Sequence, residues 1–117
     1  MSKTNFYNKQ VKHVPYSSVH VISQLRATNA LLKFCREHGR SRDMYINSIK
    51  LCAESLEAKK IKEAVNCYLE VPLGGNGCFN DWWPPVVYEN ETGEYVCAVF
   101  EALTSNWSNK MRLSVEK

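Results

Sequence analysis

Hydrophobic residues recur at steps of three and four in four stretches of the chain, and this spacing predicts four amphipathic helices. The predicted helices cover residues 18–38, 41–58, 61–70 and 92–113. Gly39 follows the first pattern and Pro72 follows the third, and both residue types end helices. Short links join the first three helices, so the predicted fold is all-α, an antiparallel bundle of about four helices.

The first and last helices have the longest apolar stripes. In the first helix the predicted stripe consists of Val21, Ile22, Leu25, Leu32 and Cys35. In the last it consists of Val96, Val99, Phe100, Leu103, Trp107 and Met111. The side chains that favour helix starts predict these N-caps: Ser17 or Ser18 for the first helix, Ser41 for the second, and Asn90 or Thr92 for the last. Pro15 disfavours a helix in residues 1–16, which we expect to form an extended or flexible arm before a single helical domain, residues 17–117.

The connection before the last helix, residues 71–91, is long and irregular. Residues 73–85 contain three glycines, two prolines and three aromatic residues, a composition typical of turns beside bulky side chains. The residues expected to shape this loop are Gly74, Gly75, Gly77, Phe79 and Asn80. We expect the glycines to adopt positive φ angles, so that Phe79 and Trp82 pack back on the helices. A connection of this length in a compact domain is usually functional or packed by its own aromatic residues.

The chain length and the cysteines indicate a reducing compartment. A chain of 117 residues is long enough for one domain that folds without a disulfide or a metal ion. The five cysteines are far apart and form no CxxC pair, as expected for buried thiols. The N-terminus lacks the apolar core of a secretory signal, and no apolar run is long enough to span a membrane. We therefore expect a cytoplasmic protein with no membrane partner.

Positive and negative side chains are divided unevenly along the chain. Residues 1–63 contain twelve Lys or Arg and five Asp or Glu, whereas residues 64–109 contain six acids and no Lys or Arg. If this division persists on the surface, the acidic half favours a basic partner. The basic half offers an alternative, a small nucleic-acid-associated regulator that uses Arg36, Arg40, Arg42, Lys59, Lys60 and Lys62.

Several enzymatic chemistries have only fragments of their motifs here. The glycine-rich stretch has no following Lys and no surrounding βαβ unit, which disfavours a phosphate or dinucleotide loop. Acidic neighbours would not activate the Cys78 thiol as a nucleophile, and the cysteines and histidines lack zinc-ligand spacing. We predict no metal and no cofactor. A remaining alternative is an enzyme in which Asp81 pairs with one of the carboxylates Glu89, Glu91 and Glu94.

Two adjacent tryptophans within the acidic segment favour a binding surface. We expect one of Trp82 and Trp83 to face the core, a direction that its neighbour cannot easily share; the alternative is that both pack under the loop. An exposed Trp flanked by acids would be a good contact for a protein partner. The predicted partner-binding residues are Asp81, Trp82, Trp83, Glu89, Glu91 and Glu94.

The Gly-Gly-Asn-Gly-Cys-Phe-Asn-Asp box at 74–81 carries a resemblance. Together with the leucine-rich helix that ends at Gly39, it resembles an uncharacterised family of small bacterial helical proteins with a Gly-Gly-x-Gly-Ser-Phe-Asn-Asp box. Cys78 stands where that box has Ser, and Trp82-Trp83-Pro84-Pro85 departs from the pattern. Small proteins of this kind often resemble immunity partners of bacterial toxins. The resemblance implies no catalytic activity, and the expected function is a non-enzymatic immunity protein that neutralises a basic toxin by occluding its active site.

Overall fold

A computed structural model describes residues 16–74, 77–81 and 85–115, with side chains described from residue 20 onward. These residues form four α-helices and no strand, which confirms the predicted all-α bundle with a long connection before its last helix. The helices are α1 (Tyr16–Glu37), α2 (Met44–Glu57), α3 (Ile61–Leu69) and α4 (Gly93–Arg112). Except for Tyr16, where α1 begins, the predicted N-terminal arm lies outside the described residues. None of the described helices has the length and hydropathy that a membrane span requires.

Helix α1 lies between two neighbours. It packs against α4 on one side and α2 on the other, and α2 packs in turn against α3. Short turns, residues 38–43 and 58–60, connect the first three helices, and each of these helices packs against the one before it. The largest fully buried side chains include Trp107, Phe79 and Leu31. Phe79 belongs to the connection, so that segment completes the core.

The buried face of α1 differs from the predicted stripe. Ile22 is 53% exposed, whereas Gln24 and Thr28 are fully buried. The Gln24 amide donates to the Lys110 carbonyl at 3.0 Å and to the Ser114 hydroxyl at 2.8 Å, near the C-terminal end of α4. These bonds satisfy the amide nitrogen of the buried Gln24 side chain, whereas its Oε1 is buried without a hydrogen-bond partner among the described residues.

The observed helix starts correct two of the predicted caps. Helix α1 already includes Ser17 and Ser18, so neither is its N-cap. Asp43, not Ser41, caps α2, because its carboxylate accepts the backbone N–H of Ile46 at 2.9 Å. For α4 the prediction is confirmed, since the Thr92 hydroxyl accepts the backbone N–H of Tyr95 at 3.0 Å.

Helices α1 and α2 end in the same way, with a residue in the left-handed conformation. Gly39 has a φ of 95° and Lys59 a φ of 62°. The next N–H in each case returns to the last turn, from Arg40 to the Cys35 carbonyl and from Lys60 to the Ser55 carbonyl, both at 2.8 Å. This is the Schellman arrangement, in which glycine is usual and lysine is strained.

The cysteines are free thiols, and most of their surface is covered. No two of the five, all of which are described, form a disulfide. Cys35, Cys52 and Cys78 are buried, and Cys67 and Cys97 are partly buried. Burial raises the pKa of Cys35 and of Cys52 to about 12, so both thiols stay protonated at neutral pH.

Candidate functional site

In the first part of the connection, the described residues 72–74 and 77–81 gather around Phe79. The Phe79 N–H donates to the Pro72 carbonyl at 2.9 Å, and the Phe79 ring contacts Tyr45 of α2 and Phe100 of α4. Ring centroids lie 6.4 Å from Tyr45 and 5.3 Å from Phe100. The prediction that Phe79 packs back on the helices is confirmed.

Two side chains of the Asn-Asp pair organise this turn from within. The Asn80 amide oxygen accepts the Gly74 N–H and the Cys78 thiol, each at 2.8 Å. One Asp81 carboxylate oxygen accepts the Gly77 N–H at 3.1 Å. Gly74 and Gly77 have φ angles of 98° and 78°, as predicted for the glycines, while Gly75 lies outside the described residues. The box therefore shapes a turn through hydrogen bonds between its own members.

Arg40 joins this turn to the link between α1 and α2. Its guanidinium donates to the Phe79 carbonyl and to the Asp43 carboxylate, and it stacks 4.3 Å from the centroid of the Phe79 ring. Only 11% of the Arg40 side chain is exposed. Although burial alone would raise it, the hydrogen bonds from Arg40 and from the Ile46 N–H lower the pKa of Asp43. The guanidinium of Arg40 therefore attaches the connection to the turn between α1 and α2.

His38 joins the second part of the connection, residues 85–91, to the end of α1. Its Nε2 lies 3.0 Å and 3.2 Å from the two carboxylate oxygens of Glu91, and its Nδ1 lies 2.9 Å from the Phe34 carbonyl. Both ring nitrogens therefore face acceptors, which only the doubly protonated imidazolium can satisfy with two donors. The ring also stacks on Phe34, with centroids 4.0 Å apart.

The protonation of this pair follows from its surroundings. Burial disfavours the cation, but the hydrogen bonds to Glu91 and to the Phe34 carbonyl outweigh burial and raise the pKa of His38 above its ordinary value. The backbone N–H of Tyr88 and the imidazole of His38 hold the pKa of Glu91 below its usual range. A charged pair near the C-terminus of α1 also suits the helix dipole, which favours a cation there.

The unpaired carbonyls at the end of α1 provide further contacts. The Val86 N–H donates to the His38 carbonyl at 2.9 Å, and the Tyr88 hydroxyl donates to the Glu37 carbonyl. A Cβ on Gly39 would lie 2.6 Å from Cγ2 of Val86, so the close approach of the connection requires glycine there. The last turn of α1 thus serves as the support on which residues 86–91 are fixed.

The predicted partner-binding residues differ in their exposure to solvent. Asp81, Glu89 and Glu94 are exposed, whereas only 14% of the Glu91 side chain is exposed and its carboxylate is bonded to His38 and Tyr88. Trp82 and Trp83 lie outside the described residues. Among the described residues, no three His, Cys, Asp or Glu side chains gather closely enough to hold a metal ion.

The structure adds apolar residues that the sequence analysis had not singled out. Val87, Tyr88 and Tyr95 are 41%, 50% and 56% exposed, and the exposed acids Glu89 and Glu94 directly follow Tyr88 and precede Tyr95 in the chain. These five residues, within the stretch 87–95, are called the loop surface below. Tyr88 and Tyr95 could be found only with a structure, because a sequence pattern does not distinguish an exposed tyrosine from a buried one.

The basic residues of the nucleic-acid alternative are also separated. Arg36 and Arg42 are exposed near the turn between α1 and α2, while Lys59, Lys60 and Lys62 are exposed at the opposite end of α2. A helix of this length separates its two ends by roughly 20 Å. The Arg40 side chain is mostly buried against Phe79 and Asp43. For both reasons, these six side chains do not form one continuous basic surface.

Comparison of the chain with models of protein families, with curated proteins and with solved structures finds no match.

Proposed function

We propose that this chain is a non-enzymatic protein-binding protein, a bacterial immunity protein that neutralises a toxin by covering its active site. The loop surface supports this proposal, because exposed apolar side chains stand next to exposed acids there, Tyr88 beside Glu89 and Tyr95 beside Glu94. Clustered apolar residues on a surface are typical of interaction sites, and aromatic residues provide much of the binding energy in such sites.

The charges on the loop surface support a basic partner in this proposal. Glu89 and Glu94 carry no ion pair among the described residues, and the chain between 64 and 109 contains no Lys or Arg. Such a segment favours a basic partner through faster encounter and through complementary contacts. A cleft that binds a nucleic acid or another anionic substrate has the required positive charge, and an acidic surface that covers this cleft would block its substrate.

The attachments of the connection support a role in binding. Arg40 fixes one part of the connection through Phe79, and His38 fixes the other through Glu91. A surface that is already ordered loses less conformational entropy when a partner binds. In this proposal Glu91 positions the loop surface, Asp81 extends its acidic edge, and Trp82 and Trp83 are predicted contacts of the partner.

Site-specific photo-crosslinking in the native host tests this function. A photoreactive amino acid at Tyr88 should join the chain to one basic protein, whereas the same group at Ile22, an exposed apolar control on α1, should not. Expression of the captured protein alone should stop growth, and the wild-type chain should restore it. The Glu89→Lys, Glu94→Lys double variant should fail to restore growth. Crosslinking mainly from Ile22 would contradict the loop surface, and a harmless captured protein would contradict the immunity role.

A further inference from the structure

A cleft between the last turn of α1 and the first turns of α2 contains three basic side chains. Its volume is about 530 Å³, within the range of roughly 300–1,000 Å³ that small-molecule sites occupy. The basic side chains are Arg36 from α1, Arg42 from the turn and Lys50 from α2. Ser41 and Asn47 add a hydroxyl and an amide to its wall. This cleft lies outside the loop surface.

The positive charge of this cleft is not neutralised by the residues around it. Arg36, Arg42 and Lys50 form no ion pair with any residue in the described part of the chain. Asp43 is the acid of the cleft wall, and its carboxylate is already bonded to Arg40 and to the Ile46 N–H. Three cations held around one cavity repel one another, so an anion that enters it gains from all three.

We propose that this cleft binds a phosphate group, carried by a nucleotide or by a nucleic-acid strand. Two guanidinium groups offer the paired N–H donors that match phosphate oxygens, and a lysine adds a third charge. The hydroxyl of Ser41 and the amide of Asn47 are further donors. The N-terminus of α2 adds little to this site, because Asp43 already caps it.

Two matched triple variants test the site. The Arg36→Gln, Arg42→Gln, Lys50→Gln variant removes the cations of the cleft, and the Lys59→Gln, Lys60→Gln, Lys62→Gln variant removes three exposed cations at the other end of α2. Both lose the same net charge. NMR titration of the full chain with pyrophosphate and with AMP, at constant ionic strength, should show saturable shifts at the backbone amides of Ser41, Arg42 and Asn47. The first variant should weaken binding by about tenfold or more, and the second should change it by less than about threefold.

A third titration with a short oligouridylate distinguishes the two phosphate sources. Binding about tenfold or more tighter than that of AMP assigns the cleft to a nucleic-acid strand, and equal affinity assigns it to a free nucleotide. Equal weakening in both triple variants would overturn the proposal, because it would show attraction by net charge alone. Absence of saturable shifts in the wild-type chain would overturn it as well. Thermal unfolding of each variant confirms that the fold is retained.

Discussion

The imidazole of His38 and the carboxylate of Glu91 lie 3.0 Å apart, although 53 positions separate the two residues in the chain. Their ion pair joins the end of α1 to the segment just before α4, and it is shielded from solvent, with 6% and 14% of the two side chains exposed. The same segment contains Val87, Tyr88 and Glu89 of the loop surface, and the other two residues lie in the first turn of α4. The position of the proposed binding surface therefore depends on a titratable contact.

This pair should make the stability of the protein depend on pH. The pKa of His38 is raised in the folded state, so its contribution is complete below the ordinary histidine pKa and is lost as the pH rises through the raised value. The pKa of Glu91 is lowered, so its contribution is present above the ordinary glutamate pKa and is lost as the pH falls through the lowered value. Both contributions overlap between about pH 4.5 and 6.5.

Urea unfolding of the wild type and of the His38→Asn variant measures this dependence. The difference in free energy of unfolding should be largest near about pH 5.5 and smaller near about pH 8. Glu91→Gln should remove the same pH dependence, whereas Glu89→Gln, at an exposed position, should retain it. A difference that grows between these two pH values would contradict the assignment of a charged His38.

Gly39 should tolerate alanine less well than Gly74. Both glycines have positive φ angles, near 95°, and alanine in this region costs about 1–2 kcal/mol. Only Gly39 has a neighbour in the way, since its Cβ would lie 2.6 Å from Cγ2 of Val86. Gly39→Ala should therefore lower the free energy of unfolding by more than Gly74→Ala does, and Val86→Ala should recover part of that extra loss in the double variant. Equal losses would show that the connection does not approach Gly39 closely.

Arg40 should not be replaceable by lysine. Lysine keeps the charge but cannot contact the Phe79 carbonyl, the Asp43 carboxylate and the Phe79 ring together. Arg40→Lys should lower the free energy of unfolding by about 1.5–3 kcal/mol, as for lost hydrogen bonds to charged groups. It should also speed hydrogen exchange at the Phe79 amide. Arg42→Lys is the matched exposed control, and a loss of the same size there would contradict the role of Arg40.

Lys59 should be a position at which glycine stabilises the protein. Its φ of 62° is strained for lysine, and glycine is the usual residue at this point of a Schellman motif. Lys59→Gly should raise the free energy of unfolding by about 1 kcal/mol, measured by urea or thermal unfolding. Lys60→Gly, one position later, provides the control and should not stabilise the protein.

The local part of this structure could be predicted from the sequence, and the long-range part could not. Apolar spacing located all four helices to within about two or three residues, and the composition of residues 73–85 indicated the irregular connection. The misplaced cap at Ser41 has a local cause, since Asp43 two positions later is an equally suitable capping residue. The exposed Ile22 has a long-range cause. Spacing defines a stripe, but packing against α4 determines which residues of α1 lie inward.

The candidate site required contacts that no local pattern contains. In the sequence, Arg40 resembles any basic residue near a helix end. Its hydrogen bond to the Phe79 carbonyl forms only because the connection folds back, and 39 positions separate the two residues. In the sequence, Glu91 resembles a solvated acid near a helix start, yet its carboxylate forms an ion pair with His38. The predicted acidic segment remains exposed at Asp81, Glu89 and Glu94, and its role in binding stays a prediction.

The most direct test of a partner-binding loop surface is the dissociation constant of the chain with the partner captured from its host. We would compare the wild type with two variants of equal charge change. Glu89→Lys, Glu94→Lys alters the loop surface, and Glu70→Lys, Glu101→Lys alters exposed acids outside it. The account predicts about tenfold or more weaker binding for the first variant and less than about threefold change for the second. Equal dissociation constants for the two variants would contradict it.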